Sequence, residues 1–550
     1  MNKAPPTGHD TFARDHLPPR EQWPDLLLAG AAEQTAEETC SARLNCAAVL
    51  LDGAVAAGRT AIYSARGDYS YGALGALVDR IAHVLRTGLG LTPGQRVLLR
   101  GTNTPMTAAC LLAIIKAGCI AVPSMPQLRA RELAVMLAKA RVDAVLCAEA
   151  LAGELLAAGP LPPMLCFDGG AGDGSLEVRM ARHDLPFEAE DTAADDICLI
   201  AFTSGTTGEP KATMHFHRDL LAICDAFPRS TLKSLPTDIF IGTPPLAFTF
   251  GLGGLLLFPL RVGAATVLLE KLTPDALLAA IARYRATVCF TAPTFYRQMA
   301  ALLSGPGTAS AAAHDLRSLR RCVSAGEALP PATREAWSRA TGLAMIDGLG
   351  STEMLHIFIS AADGDIRPGA TGKPIPGYQA CILDPDGHPV GPGVTGRLAV
   401  KGPTGCRYLD DARQKDYVID GWNLTGDSYE MDGDGYFHYR ARTDDMIISA
   451  GYNIAGPEVE EALLRHPLVA ECAVIGRADE ERGQIVEAHV VLKSNPDAAL
   501  AADAEKLARI LQDFVKAQIA PYKYPRVVHF LPALPRTETG KLQRYKLRRP

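Results

Sequence analysis

The stretch AFTSGTTGEPK, Ala201 to Lys211, decides how the whole chain reads. It follows the apolar run ICLIAF, which has the composition of a buried strand. Six small or hydroxylated residues come next, then Glu209, Pro210 and Lys211. Such a loop brings nothing apolar to a core. Gly205 and Gly208 let the backbone turn tightly and approach a ligand. Ser204, Thr206 and Thr207 add hydroxyl donors, Lys211 adds a point charge, and successive exposed N–H groups suit an anion such as phosphate. The Walker A pattern G-x-x-x-x-G-K-[ST] is not met, because Glu209 and Pro210 follow Gly208 and Ala212 follows Lys211. A P-loop kinase or GTPase is thereby disfavoured. A solvated Ser/Thr/Gly turn is the plain alternative.

On either side of the loop, helical and strand patterns alternate. YGALGALVDRIAHVLRTGL has helical apolar spacing, VLLRG is a short strand, PMTAACLLAIIKAG a helix, CIAVPS a strand, RARELAVMLAKA a helix and VDAVLC a strand. The rhythm returns in AATVLLE, a helix from Pro274 to Arg285, ATVCFTAP, a helix near Thr294 and LRRCVSAGE. Alternation of this kind predicts α/β layers with mostly parallel strands. After Gly369 the dense Gly, Pro and Asp of CILDPDGHPVGPGVTGRLAVKGP predict hairpin-like strands. The last hundred or so residues predict a small α+β domain, with PEVEEALLRHP and Ala502 to Ala517 as helices and VAECAVIGR and VEAHVVLK as strands.

Composition bounds the rest. The chain has 550 residues, 48% of them hydrophobic and 21% charged, enough for substantial cores and too long for one ordinary domain. Its net charge of −6 offers no electrostatic case for binding nucleic acid. The 13 cysteines form no C-x-x-C pair and read as buried thiols in a reducing compartment. No apolar signal segment opens the sequence, and Gly251 to Leu260, the most lipid-like run, is far shorter than the roughly 20 residues of a membrane span. These features predict a cytoplasmic protein, monomeric or homodimeric, with no membrane or nucleic-acid partner.

The string TSGTTGEPK, Thr203 to Lys211, resembles the phosphate loop of the adenylate-forming superfamily, which comprises acyl-CoA synthetases, luciferases and the adenylation domains of peptide synthetases. Five further motifs follow in the family's order. SAGEAL, Ser324 to Leu329, resembles the segment flanking adenine. DGLGSTE, Asp347 to Glu353, resembles Y-G-x-T-E, with Leu349 and Gly350 departing from the usual residues. NLTGD, Asn423 to Asp427, resembles the T-G-D element. ARTDDMIISAGYNIAGPEVE resembles the hinge-containing G-R-x-D-D stretch, with Ala441 in place of glycine. PRTETGKLQR, Pro535 to Arg544, resembles P-K-T-x-x-G-K-x-x-R.

The resemblance implies a large N-terminal α/β domain with a β-rich subdomain, residues 1–442, and a small mobile α+β domain, residues 443–550. It implies ATP, a magnesium ion and coenzyme A, with an acyl-adenylate formed first and a thioester second. Thr203, Ser204, Gly205, Thr206, Thr207, Gly208 and Lys211 would cradle the β- and γ-phosphates. Ala325, Gly326, Glu327, Asp347, Gly348, Ser351 and Thr352 would line the nucleotide, with Asp347 on the adenine amino group. Asp427 would accept from the ribose hydroxyls and Arg442 would add a ribose or phosphate contact. Lys541 would bridge the carboxylate and the nucleotide, and Glu353, with Thr206, would hold the magnesium ion. Asp444 matches the hinge, and Ser449, Gly451 and Tyr452 would approach the pantetheine arm of CoA.

The acid pocket would be lined by PLAFTFGLG and EMLHIF, with Phe248, Thr249, Phe250, Gly251, His356 and Ile357 making a compact wall suited to a single ring. DGLGSTEMLHIFIS and TMHFHRDLL resemble the benzoate-CoA ligase branch, and DTFARDHLPPREQWPDLL with RLNCAAVLLD is most similar to 2-aminobenzoate-CoA ligases. Benzoate or a hydroxybenzoate is the alternative acid. An enzyme loading an acyl carrier protein and a non-catalytic nucleotide-binding relative are alternatives of other kinds. His215 and His217 have an i,i+2 spacing but no third ligand at a convincing spacing, and are expected to flank the following helix structurally.

Overall fold

The computed structural model describes residues 8–28, 43–51, 56–169, 172–203, 210–304, 314–442, 445–449, 452–479, 482–493, 504–519, 521–536 and 542–548. Two large sheets carry the N-terminal part. The first has six strands in the order Met164–Phe167, Ala144–Ala148, Arg96–Arg100, Ile120–Ser124, Ile197–Thr203 and Lys211–Phe216. All pairs are parallel except the last, where Ile197–Thr203 meets Lys211–Phe216 antiparallel. The second has nine strands. Its parallel centre runs Met345–Gly350, Arg321–Ala325, Val288–Thr291, Ile239–Gly242, Ala265–Leu268 and Thr60–Ser64, and antiparallel strands close both edges.

Helices fill the space between these sheets. Pro105–Lys116 is buried at all but one position, which is why its sequence is apolar all round instead of amphipathic. Thr104 caps it, accepting from the Thr107 N–H at 3.1 Å, and Pro105 occupies the first turn, where no N–H is needed. One apolar cluster joins Val97 and Leu99 of the six-stranded sheet, Ile114 and Leu221 of the helices, and Phe290 and Val323 of the nine-stranded sheet.

The Gly- and Asp-rich region folds as expected into antiparallel strands: Gln379–Leu383, Thr395–Lys401, Trp422–Met431, Val418–Ile419 and Phe437–Arg442. The C-terminal α+β domain has a five-stranded sheet from Met446–Ser449, Tyr452–Ala455, Val469–Asp479, Gly483–Leu492 and Val527–Phe530. Its helices are Gly456–Leu464 and Ala504–Gln518. Helix ends are where sequence and structure differ. The helix expected to reach Arg285 stops at Tyr284, because Arg285 turns left-handed (φ 52°) to cap it. Among the described residues no helix is long and apolar enough to cross a membrane. Every described cysteine is a free thiol, and all but Cys166 and Cys381 are buried.

Candidate active site

Thr203 and Lys211 are register partners at the end of the antiparallel pair, so the TSGTTG loop leaves and re-enters one sheet edge. Ser204, Gly205, Thr206, Thr207 and Gly208 lie outside the described residues. The outer edge of Lys211–Phe216 is covered by Arg407–Leu409: the Met214 N–H donates to the Arg407 carbonyl and the Leu409 N–H to the Ala212 carbonyl, each at 2.8 Å. Arg407 is anchored by a buried ion pair with Asp219 at 2.9 Å and lies over the Phe216 ring at 4.1 Å. The next residue, Tyr408, is fully buried. Its hydroxyl donates to Glu353 Oε1 at 2.6 Å, and burial followed by the Glu353 charge pushes the phenol far up, so it stays a donor. Lys211 Nζ stands 5.1 Å from the Tyr408 ring centre and 5.8 Å from that of Tyr417. It has no carboxylate partner among the described residues.

Glu353 is buried and sits in the turn Ser351–Leu355. The turn is held from two sides. The Thr404 hydroxyl donates to the Met354 carbonyl at 2.8 Å, and His215 Nε2 donates to the Thr352 carbonyl at 2.9 Å. Burial pushes His215 down to about 4, so it serves as a neutral donor. Glu353 Oε2 accepts no hydrogen bond among the described residues. A buried carboxylate with one free oxygen fits a hard cation such as magnesium.

The adenine-flanking motifs meet through strand register. Ser324 pairs with Asp347 and Ala325 with Gly348, at the C-terminal ends of adjacent parallel strands, where open α/β sheets bind ligands. Gly326 then turns the chain (φ 90°), and Glu327 Oε2 accepts from the Thr294 hydroxyl at 3.1 Å. Desolvation pushes the Asp347 carboxyl up to about 7, against the opposing charge of Arg334. Gly348 leaves room for Ile357: a Cβ there would stand 2.4 Å from Ile357 Cδ1, so a larger residue requires that side chain to shift. Asp427 and Arg442 are also register partners, with Arg442 Nη1 3.0 Å from Asp427 Oδ1. Tyr429, pushed up first by burial, feels both Asp427 and Asp347, and Tyr417 feels both Glu353 and Asp427. Two buried tyrosines thus each lie within electrostatic reach of two of the carboxylates assigned to adenine, ribose and metal.

Three of the acid-pocket residues, Thr249, Phe250 and Gly251, open a helical run from Thr249 to Val262 that passes through a π-turn at Gly253–Leu257, while His356 and the buried Ile357 stand at the start of the strand Ile357–Ser360. Thr249, Phe250 and Gly251 are buried in its first turn, while Phe248 is exposed. Asn103 fixes the approach to it, donating to the Pro244 carbonyl at 3.0 Å and accepting from the Leu246 N–H at 2.8 Å. The His356 ring sits among Phe258 (4.5 Å between ring centres), Phe250 (5.8 Å), Phe227 (5.9 Å) and Phe290 (6.4 Å). Burial pushes His356 down to about 3, and neither ring nitrogen has a hydrogen-bond partner among the described residues. The Phe250 backbone, a smaller influence than burial, acts the other way.

In the small domain, Ser449 is buried and pairs with Tyr452 across a hairpin. Asp444, Gly451 and Lys541 lie outside the described residues. A charge chain links the domains: Arg297 bonds Glu471 at 3.0 Å, Glu471 bonds Arg536 at 2.9 Å, and Arg536 lies 3.7 Å from Glu327. Sequence reasoning missed Tyr408, Tyr417 and Asn103. It also missed the surroundings of His217, the first residue of its helix, which lies with Cys46 and Cys198 within 4.8 Å. That correction does not create a metal site. His217 Nδ1 already accepts from the Cys46 N–H at 3.2 Å, and Cys198 and His217, outweighing burial, bring the Cys46 thiol down to about 6.

The chain belongs to the AMP-binding enzyme family, whose model matches residues 52–407 and whose C-terminal domain model matches residues 458–541. Within it, the chain lies on the benzoate-CoA ligase branch and is an acid–thiol ligase of the aryl-CoA type. It is 38% identical to a benzoate–CoA ligase of Thauera aromatica over 89% of this chain and 92% of that one. It also resembles the crystal structure of an anthranilate CoA ligase in complex with anthranoyl-AMP (TM-score 0.85, 33% identity, 92% of this chain and 97% of that one). A benzoate CoA ligase from Burkholderia xenovorans LB400 gives a TM-score of 0.82 at 33% identity, covering 92% and 100%.

Proposed function

We infer that the enzyme converts 2-aminobenzoate, ATP and CoA into 2-aminobenzoyl-CoA, AMP and pyrophosphate. A carboxylate oxygen attacks the α-phosphorus, the bond to the β-phosphate breaks and pyrophosphate leaves. The CoA sulfur then attacks the acyl carbon and AMP leaves. Lys541 stabilises charge as it develops at phosphorus. The TSGTTG loop with Lys211 holds the β- and γ-phosphates, Asp347 accepts from the adenine amino group, and Asp427, held by Arg442, accepts from the ribose. A magnesium ion held by Glu353 and Thr206 offsets triphosphate charge when bound. Rotation about Asp444, at the boundary between residues 1–442 and 443–550, exchanges the Lys541 face for the Ser449–Gly451–Tyr452 face between the two steps.

The choice of acid rests on His356. A neutral imidazole has one acceptor nitrogen, and among the described residues no group donates to it. An ortho amino group donating to it gains about 1 kcal/mol, or roughly fivefold, over benzoate. The likeness to an anthranilate CoA ligase supports this reading, and 38% identity to a benzoate–CoA ligase supports benzoate as the second one. The test is AMP release with ATP, magnesium and CoA over benzoate, 2-aminobenzoate, 2- and 3-hydroxybenzoate, phenylacetate and octanoate. The expected result is a kcat/KM for 2-aminobenzoate at least about fivefold above benzoate. Equal or higher activity with benzoate overturns the 2-aminobenzoate assignment and leaves the aryl-CoA ligase chemistry standing.

A further inference from the structure

Tyr408 belongs to none of the recognised motifs, yet it touches two of them. It lies on the covering segment Arg407–Leu409, not on the strand that carries Lys211 or the turn that carries Glu353. Its backbone is locked: the Tyr408 N–H donates to Gln414 Oε1 at 2.9 Å, and Gln414 Nε2 donates to the carbonyls of Cys406 at 3.1 Å and Gln22 at 2.8 Å. The neighbouring Arg407–Asp219 pair ties the same segment to the helix that follows the sheet edge. A side chain mounted so firmly has little freedom in where its hydroxyl points.

Its two ends face different partners. The hydroxyl takes Glu353 Oε1 and leaves Oε2 without a hydrogen-bond partner among the described residues. The ring face lies against the Lys211 ammonium. A carboxylate in that place would neutralise the lysine before a nucleotide arrived. An aromatic face attracts the cation through its quadrupole and leaves the full charge available to an incoming anion.

We propose that Tyr408 is a positioning residue that couples the two ends of the triphosphate site, aiming Glu353 at the metal with its hydroxyl and holding Lys211 for the phosphates with its ring. This rests on the assignment of Glu353 to magnesium and of Lys211 to phosphate. A hydrogen bond from outside the ligand sphere that orients a metal-binding carboxylate typically changes metal affinity by about 10-fold or more.

The experiment is calorimetric ATP binding to the full chain, in magnesium and in EDTA, for wild type, Tyr408→Phe, Tyr408→Leu and Glu353→Gln, with melting temperatures to confirm folding. Tyr408→Phe keeps the ring and should bind ATP in EDTA as wild type does, while losing about 10-fold of the tightening that magnesium confers. Tyr408→Leu loses the ring as well, so its binding in EDTA weakens too. A merely structural tyrosine would weaken both conditions together in both variants, and that result overturns the proposal. Full magnesium tightening in Tyr408→Phe with loss in Glu353→Gln overturns the coupling alone. Full tightening in both removes Glu353 from the metal site and the proposal with it.

Discussion

Replacing Gly253 with alanine tests the acid pocket without touching a polar group. A Cβ at Gly253 would stand 2.4 Å from His356 Cδ2, 2.8 Å from Nε2 and 3.0 Å from Phe258 Cζ. Carbon atoms rest about 3.5–4.0 Å apart, so the imidazole must retreat by about 1 Å or the helical run must move. Retreat is blocked by the buried rings of Phe227, Phe258 and Phe290. Overpacking of this kind costs about 1–3 kcal/mol of stability, which a folded enzyme of this size survives. A displacement of about 1 Å in a group that positions substrate costs on the order of 100-fold in rate. We therefore expect Gly253→Ala to melt a few degrees lower and to lose roughly 100-fold in kcat/KM for the aryl acid, with calorimetric ATP affinity unchanged. AMP release against acid concentration at saturating ATP gives the first quantity. A folded variant that keeps kcat/KM within about threefold of wild type refutes the placement of His356 at the substrate. An equal loss in ATP affinity would mean general damage and would refute it as well.

Burial pushes Asp347 up to about 7. With the proposed adenine role the anion is the binding form, so log kcat/KM for ATP in pyrophosphate exchange should rise with pH below about 7 and level off above it; Asp347→Asn should flatten the bend. Because the folded state holds this proton to a higher pH than the unfolded chain, the carboxyl lowers stability as pH rises from its ordinary range through 7. Asp347→Asn should accordingly melt above wild type at pH 8 and not at pH 4, and a pH-independent difference would contradict the assignment. Glu471→Arg turns the inter-domain attraction to Arg297 into a repulsion. Losing about 1 kcal/mol of attraction across this partly exposed contact and adding a similar repulsion shifts domain populations roughly 30-fold. Acyl-adenylate formation should fall by about that factor, while thioester formation from supplied acyl-AMP holds or quickens; equal loss in both half-reactions refutes a linking role for the charge chain.

Much of the fold is legible in the sequence because its signals are local. Thr104-Pro105 opens a helix by cap chemistry that needs no tertiary information, and the even α/β alternation predicts the parallel centres of both sheets. Strand register then joins Ala325 to Gly348 and Asp427 to Arg442, residues that the motifs name only separately. The site's supports are another matter. Tyr408 meets Glu353 and Asn103 meets Pro244 across long stretches of chain, so no spacing rule announces them. Tyr408 in particular reads as an ordinary aromatic in CRYLDD until Lys211–Phe216 is seen to need a covering segment. His217 shows the same limit, since its companion Cys46 lies 171 residues away. Arg285 marks a subtler one: its left-handed cap ends a helix at a place where the local pattern favours continuing it.

The parallel centre of the nine-stranded sheet has a consequence for how the enzyme is made. Ile62 pairs with Thr266, so the Thr60–Ser64 strand leaves the ribosome about 200 residues before its parallel neighbour. At roughly 5–20 residues per second, that strand waits on the order of 10–40 seconds with one edge unpaired. The strands of the six-stranded sheet all end by Phe216 and can pair during the same interval, with only the covering segment Arg407–Leu409 still to come. Synthesis therefore favours one half of the molecule finishing while the other stays open, and the interval between them is when the growing chain is most exposed to aggregation and most dependent on chaperones.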